Sequence, residues 1–454
     1  SSVRGVDGRT AERWLRAAAR AGDDAALAWI PAPPAPLSAV LSAFGEPPDV
    51  AWRDPAGLAC AGFGESAVVT AAGAARFAEV ERAVSAELGR LVCRAFTDGA
   101  PPARVFGGFA FRPGAAAPPS WTGYGDARFV LPRVTYVASG GRGWLGLARR
   151  DGEPLSDWDT AAERLVSLAA AIDPSAALEP PGPRGGRELD SPDEDLVRRL
   201  QAACAATDGG ELDKVVVAHR LRLGVEARPD VNAVLARLLA ENPSATVFAF
   251  HHGGRRFLGA TPERLIARQG RAVMAEALAG SAVRDGASAP EALLLSDKDL
   301  IEHGFVVRDL AEKLTPLCDA VDVPRVPVVR ELREVVHLLT PIRGRLARPW
   351  HVLRLVERVH PTPAVGGTPT AAALAWLERN EPSPRGWYAS PVGWVDGSGD
   401  GDFVVALRSG LLTDEGAELW AGAGIVAGSE PAAEAAEIRL KLGTFLSALG
   451  AARP

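Results

Sequence analysis

The sequence predicts an α+β fold, and two observations carry that reading. Runs rich in β-branched and other apolar residues, of strand length, are interspersed with longer runs of helical period, and the order is mixed. An apolar content of 47% beside 23% charged residues gives a chain of 454 residues ample core. Folds of mixed strands and helices can reach this length as one unit. The length could hold two or three domains; the mixed order agrees with a single large one, 1–454, with an N-terminal structural part at 1–172, a connector at 173–190 and a chemistry-bearing part at 191–450.

A formal net charge of −6 offers no basic footprint for nucleic acid or an anionic membrane, so neither is an expected partner. An anionic substrate would need locally placed cations. No run approaches the ~20 apolar residues of a membrane span, and the start at Ser1 carries no secretory pattern. Met274 is the only methionine, so loss of an initiator is expected. Cys60, Cys93, Cys204 and Cys318 are scattered without metal-ligand spacing, which points to reduced thiols in a cytoplasmic protein.

In the N-terminal part, residues 9–21 and 76–91 read as helices, and 127–138 and 143–148 as strands. VFGGFAF (105–111) places paired glycines in an apolar strand, the mark of a bulge or tight packing point. No catalytic constellation is visible here. The proline- and glycine-rich 173–190 reads as an exposed connector. Ser191, Pro192 and Glu194 then supply an N-cap, a first-turn proline and a capping-box glutamate for a helix to about Ala206.

Residues 213–225, DKVVVAHRLRLGV, read as a strand with Lys214 at its start, either entering a cleft or simply solvated. A helix at 231–241 and strands at 246–250 and 256–259 lead into GATPERL (259–265). Glu263 in that turn is either a general acid in a partly dry cleft or the partner of Arg264 or another neighbour. EALAGS (276–281) reads as a small-residue turn whose Gly280 and Ser281 are able to present an N–H and a hydroxyl to a carboxylate.

The helix expected at 297–317 carries Asp299 and Glu302 on one face, and the last helix, 431–449, repeats the device with Glu434 and Glu437. Two such pairs aimed at one point suit a hard, oxygen-seeking cation; the plainer readings are solvated faces or dipole complements at helix starts. His337 lies in the strand-like VVHLLT, as a core residue or as part of a site. Arg408 ends FVVALR and wants an anion, and AGAGI (421–425) follows a strand with glycines that let backbone N–H groups reach a ligand. Glycines and prolines cluster in 360–409, around a helical run and a strand, where backbone is able to approach a small ligand closely.

These segments, in order, resemble the chorismate-utilising enzymes: KVVVAHR, GATPERL, EALAGS, SDKDLIEH, HLLTPIRG, HPTPAVGG, RGWYASPVGW, DGDFVVALRS, AGAGIV and EPAAEAAEIRLK, across roughly 190–450. The resemblance implies the fold of anthranilate synthase component I, two antiparallel sheets packed face to face with helices outside. It also implies chorismate as substrate and Mg²⁺ as cofactor. Aminodeoxychorismate synthases carry a lysine where this chain has Ala279, and anthranilate synthases usually lack one at Lys214. The combination of Lys214 and Ala279 is similar to the water-using isochorismate synthases, so no glutaminase partner is expected. FVLPR (129–133) and GWLGL (143–147) resemble the isochorismate synthases of menaquinone and siderophore pathways.

By the same resemblance, Lys214 is the general base that activates water and Glu263 the general acid for the C4 hydroxyl, on opposite faces of the ring. Glu302 and Glu437 are expected to hold Mg²⁺ directly, with Asp299 and Glu434 through water or behind them. Gly280 and Ser281 assist at the ring carboxylate; Arg408, Tyr388, Gly422 and Lys441 receive the pyruvyl carboxylate; His337 lies by the ring. Ser390, Asp402, Ser281 and Gly410 depart from the family's usual glycine, glutamate, threonine and alanine. The nearest alternative is a salicylate synthase, which goes on to eliminate pyruvate. A non-catalytic chorismate-fold binding protein is a further alternative, disfavoured by the intact Lys214, Glu263, Glu302 and Glu437.

Overall fold

The computed structural model describes residues 2–3, 6–20, 26–176, 186–190, 193–225, 229–284, 289–333 and 335–450. Among them, 21 strands join edge to edge into one hydrogen-bonded network, antiparallel except where Ala26–Ala32 runs parallel to Val92–Ala95. The α+β class and the antiparallel sheets with helices outside are observed; the two packed layers are parts of this one network. The N-terminal strands enter it directly. Val50–Arg53 pairs with Thr246–His252, and Arg104–Phe109 pairs with Pro391–Asp396.

Side-chain alternation sorts the faces. Along Thr246–His252 and Arg255–Thr261, Phe248, Phe250 and Phe257 point into a core shared with the N-terminal strands, while Val247, Ala249, Leu258 and Ala260 point to the helix-covered side. The shared core is strongly aromatic. Trp121 packs against Phe257 and Trp420 with ring centroids 5.1 and 5.4 Å apart, and Tyr124 against Trp387 at 5.0 Å. Burying one such ring as Phe257 contributes about 1.5–3 kcal/mol, so these contacts bind the N-terminal part to the catalytic strands. The glycine pair in VFGGFAF is a tight packing point: a Cβ on Gly107 would lie 2.0 Å from the Arg128 carbonyl oxygen.

Expected helices recur with small shifts, as Gly8–Arg20, Arg76–Arg90, Asp193–Asp208, Val231–Glu241 and Pro431–Leu449. The cap assigned to Ser191 and Pro192 lies outside the described residues. Asp297–Leu314 is helical, its start capped by the Ser296 hydroxyl, and a 3₁₀ turn at Thr315–Leu317 follows.

Four readings require correction. EALAGS is not a turn; it lies within the strand Ala272–Val283, and its turn-like composition marks a bulge at Gly280. AGAGI does not follow a strand but forms part of Gly416–Val426. Arg408 lies beyond the strand Gly401–Val405, in the link to Ser409–Leu412. The described end of the connector, Gly186–Asp190, is a strand that pairs with Lys214–Val225.

Candidate active site

Lys214 opens the strand Lys214–Val225 and is fully buried. Its Nζ lies 3.0 Å from Glu302 Oε1. The contact is an ion pair by distance but misaligned for a hydrogen bond, and among the described residues the ammonium has no hydrogen-bond partner. The neighbouring strand makes the pairing possible. Gly424 sits opposite Val216, and a Cβ there would lie 2.2 Å from Glu302 Oε1 and 2.9 Å from Lys214 Cε. Only glycine admits the pair. Thr368 and Gly367 pair with Lys214 and Val215 on the other edge and close the strand start from solvent.

Glu263 occupies the two-residue link between Arg255–Thr261 and Arg264–Gln269, inside the protein. The link is pinned by its backbone: Val405 N–H donates to the Glu263 carbonyl at 3.0 Å, and the Thr261 hydroxyl donates to the Val405 carbonyl at 2.6 Å. Burial pushes the Glu263 carboxyl up to about 8; Lys214 opposes this and Glu276 adds to it. At neutral pH it is a protonated acid. Arg264 is not its partner, because Arg264 makes a bidentate pair with Asp402, both contacts 3.0 Å.

Glu263 lines a cleft whose wall also includes Gly280, Ser281, Glu302, His337, Tyr388, Arg408, Gly422 and Lys441. Lys214 lies behind that wall, beneath Gly424 and against Glu302. The bulge in Ala272–Val283 falls between Ala279 and Ser281, and Gly280 takes φ +75°, which re-aims the chain into the cleft. His337 stands opposite Ser281, and its Nε2 is 3.1 Å from an Arg408 guanidinium nitrogen. Burial and the neighbouring Arg408 hold His337 well below the ordinary histidine range, so it is the neutral acceptor in that contact. Arg408 itself adopts φ +49° and also donates to the Thr444 hydroxyl at 3.3 Å. Lys441 donates to the Gly422 carbonyl at 3.0 Å, and the Tyr388 hydroxyl lies against Gly422.

The two acidic pairs face each other across the cleft's edge. The Ser281 hydroxyl donates to Glu437 Oε1 at 2.8 Å, Lys441 pairs with the same oxygen, and Lys298 donates to Glu434 at 2.5 Å. Burial raises Asp299 and Glu434 above the ordinary carboxylate range, and Glu302 adds to both. Glu437 falls below it: burial works upward, but Lys441, the Ser281 hydroxyl and Lys298 together outweigh it. Glu302 thus acts on both Asp299 and Glu434, yet among the described residues no three acidic, histidine or cysteine groups converge closely enough to hold a metal. Glu302, Glu434 and Glu437 are engaged instead by lysine ammonium groups. Carboxylates of this kind form an all-oxygen donor set, the type that suits a hard divalent ion.

Sequence reasoning missed Arg385. It lines the cleft, is 3% exposed, and donates to the carbonyls of Val365 and Val216 at 2.7 Å each while paired with Glu381 at 2.5 Å. It ties the 360–368 loop to the Lys214 strand. The available signal was its place at the head of RGWYASPVGW, an arginine before a run otherwise short of charge.

A chorismate-binding enzyme family profile matches residues 25–450. The chain belongs to the chorismate-binding enzymes. It is 36% identical over 429 residues to the salicylate biosynthesis isochorismate synthase of Pseudomonas aeruginosa, covering 90% of this chain and 88% of that one. It is 36% identical over 358 residues to isochorismate synthase MenF of Bacillus subtilis, 77% of this chain and 75% of that one. The solved menaquinone-specific isochorismate synthase MenF of Escherichia coli superimposes with a TM-score of 0.78 at 26% identity, covering 97% of this chain and 99% of that one. Anthranilate synthase component I of Streptococcus pneumoniae shares the fold, with a TM-score of 0.63 at 19% identity over 78% of this chain and 82% of that one.

Against the chorismate-binding pattern, the departures have local explanations. Asp402 replaces a glutamate and meets Arg264 in the bidentate pair. Gly410 replaces an alanine whose Cβ would lie 2.5 Å from Phe445 and 2.6 Å from Leu419. Ser281 keeps the hydroxyl of threonine and uses it on Glu437. Ser390, where the family has glycine, is fully buried, with its hydroxyl 3.3 Å from the Tyr388 carbonyl.

Proposed function

We propose that this chorismate-binding enzyme is an isochorismate synthase, an isomerase. Water adds at C2 of chorismate, the C4 hydroxyl leaves, and the ring double bonds shift between them. Water enters and water leaves, so composition is unchanged. The observation that carries the reading is the pairing of two buried groups of opposite character on one cleft. Lys214 is sealed behind Gly424 without a hydrogen-bond partner, and Glu263 is a carboxyl kept protonated by burial. Lys214 acts as the neutral amine, having given up its ammonium proton before water attacks, and takes the proton from that water; Glu263 gives its proton to the departing hydroxyl. No amine nucleophile stands at Ala279.

The dianionic substrate suits a cleft with Arg408 and Lys441 at one end and backbone N–H groups at the Gly280 bulge. Mg²⁺ would be held by Glu302 and Glu437, with Asp299 and Glu434 behind them, and when bound it supplies positive charge for the ring carboxylate. Product analysis by liquid chromatography and mass spectrometry tests the reading, with chorismate, Mg²⁺ and ¹⁸O-labelled water. Isochorismate carrying one label at C2, abolished in Lys214→Ala, is expected. Salicylate with pyruvate would assign the salicylate synthase activity instead; an aminated product in added ammonium would overturn water as nucleophile, and chorismate bound without turnover would indicate a binding protein.

A further inference from the structure

Glu263 lies in neither a helix nor a strand, so something must fix a group whose proton has to reach a single oxygen. On the adjoining strands lies an ion pair that the chemistry above leaves unused. Arg330, in Val328–Glu331, pairs bidentately with Glu276, in Ala272–Val283, at 2.7 and 3.0 Å. The same guanidinium donates to the Pro262 carbonyl. The same carboxylate receives the Arg264 N–H at 3.4 Å. One pair therefore grips the backbone immediately before and immediately after Glu263.

We infer that Glu276 and Arg330 are positioning residues for Glu263, a clamp that sets where the acid's proton points. The inference rests on the isochorismate synthase reading and deepens it. An electrostatic role is the weaker explanation, because the two members act on Glu263 in opposite senses, Glu276 raising its proton affinity and Arg330 lowering it. The other charged groups acting on it are Lys214 and Lys441, neither of which contacts the clamp. As a unit the pair's two charges oppose each other at Glu263, while a two-point guanidinium–carboxylate contact fixes orientation as well as distance. Displacement of a reacting group by about 1 Å costs on the order of 10²-fold in rate.

Four variants separate position from charge: Arg330→Met, Glu276→Gln, the double variant, and Arg330→Lys, which keeps the charge without the fork. All are expected to lower kcat roughly 10- to 100-fold with KM for chorismate little changed. The alkaline limb of kcat/KM should move to higher pH in Arg330→Met and to lower pH in Glu276→Gln. In the double variant and in Arg330→Lys it should return toward its original place while kcat stays low. Thermal melting identifies any variant that does not fold, and Arg330→Lys, which preserves charge and most volume, keeps the test decisive. Near-normal kcat in the double variant or in Arg330→Lys, or a loss confined to KM, overturns the clamp. Wild-type protein that makes no isochorismate overturns the underlying reading instead.

Discussion

The two sides of the cleft are built to different degrees of readiness. On one side Glu263 is complete as it stands: buried, protonated and held through its backbone. On the other, Glu302, Glu434 and Glu437 are occupied by Lys214, Lys298 and Lys441 respectively, and among the described residues no three acidic groups converge. In the proposed role the acid side needs only a proton, and it is pre-organised for that. The carboxylate side is held by lysine ammonium groups, which screen the mutual repulsion of its carboxylates.

The largest expected effect comes from removing the finished side. Glu263→Gln keeps the shape and loses the proton, so kcat should fall by about 10²–10⁴-fold while chorismate binding, measured by titration calorimetry, is retained. Its stability should also reveal the cost of burying a carboxylate. With a folded pKa near 8 against 4.5 unfolded, the wild type is favoured fully only below about 4.5 and loses that advantage as pH rises to about 8. Wild type and Glu263→Gln should therefore have similar melting temperatures near pH 4 and diverge toward pH 8 and above, the variant becoming the more stable.

Gly424→Ala acts where the two sides meet. Its Cβ would lie 2.2 Å from Glu302 Oε1 and must push the carboxylate from Lys214. A drop in kcat of roughly 10- to 100-fold with a shifted Mg²⁺ dependence is expected from steady-state kinetics, larger than any loss in melting temperature. Smaller still is Lys298→Met, which frees Glu434 from its half-exposed lysine. Half-saturating Mg²⁺ should fall by a few fold with kcat at saturation unchanged.

Much of this was legible in the sequence, and the gaps have physical causes. The β-branched run after Lys214 identified its strand, and the i,i+3 acidic pairs identified the carboxylate helices, because both signals are local. Gly280 misled because a glycine-serine pair has turn composition, while a bulge lets the same residues sit inside a strand at φ +75°. AGAGI misled for a related reason: glycine disfavours strands in general, but here the partner strand leaves no room for anything larger beside Glu302. The pairing of Lys214 with Glu302, the gripping of Glu263 by Glu276 and Arg330, and the anchoring by Arg385 join residues far apart in the chain. Spacing carries no trace of such contacts, and burial, which decides the protonation of Glu263, exists only once the sheets have closed.

The most direct measurement is the protonation state of Glu263 itself, by infrared difference spectroscopy of wild type against Glu263→Gln without substrate or metal. The account predicts a protonated-carboxyl C=O band at pH 7 that titrates away near pH 8 and is absent in the variant. A carboxylate already ionised at pH 7 would contradict it, since the acid side would then be no more ready than the lysine-held carboxylate side.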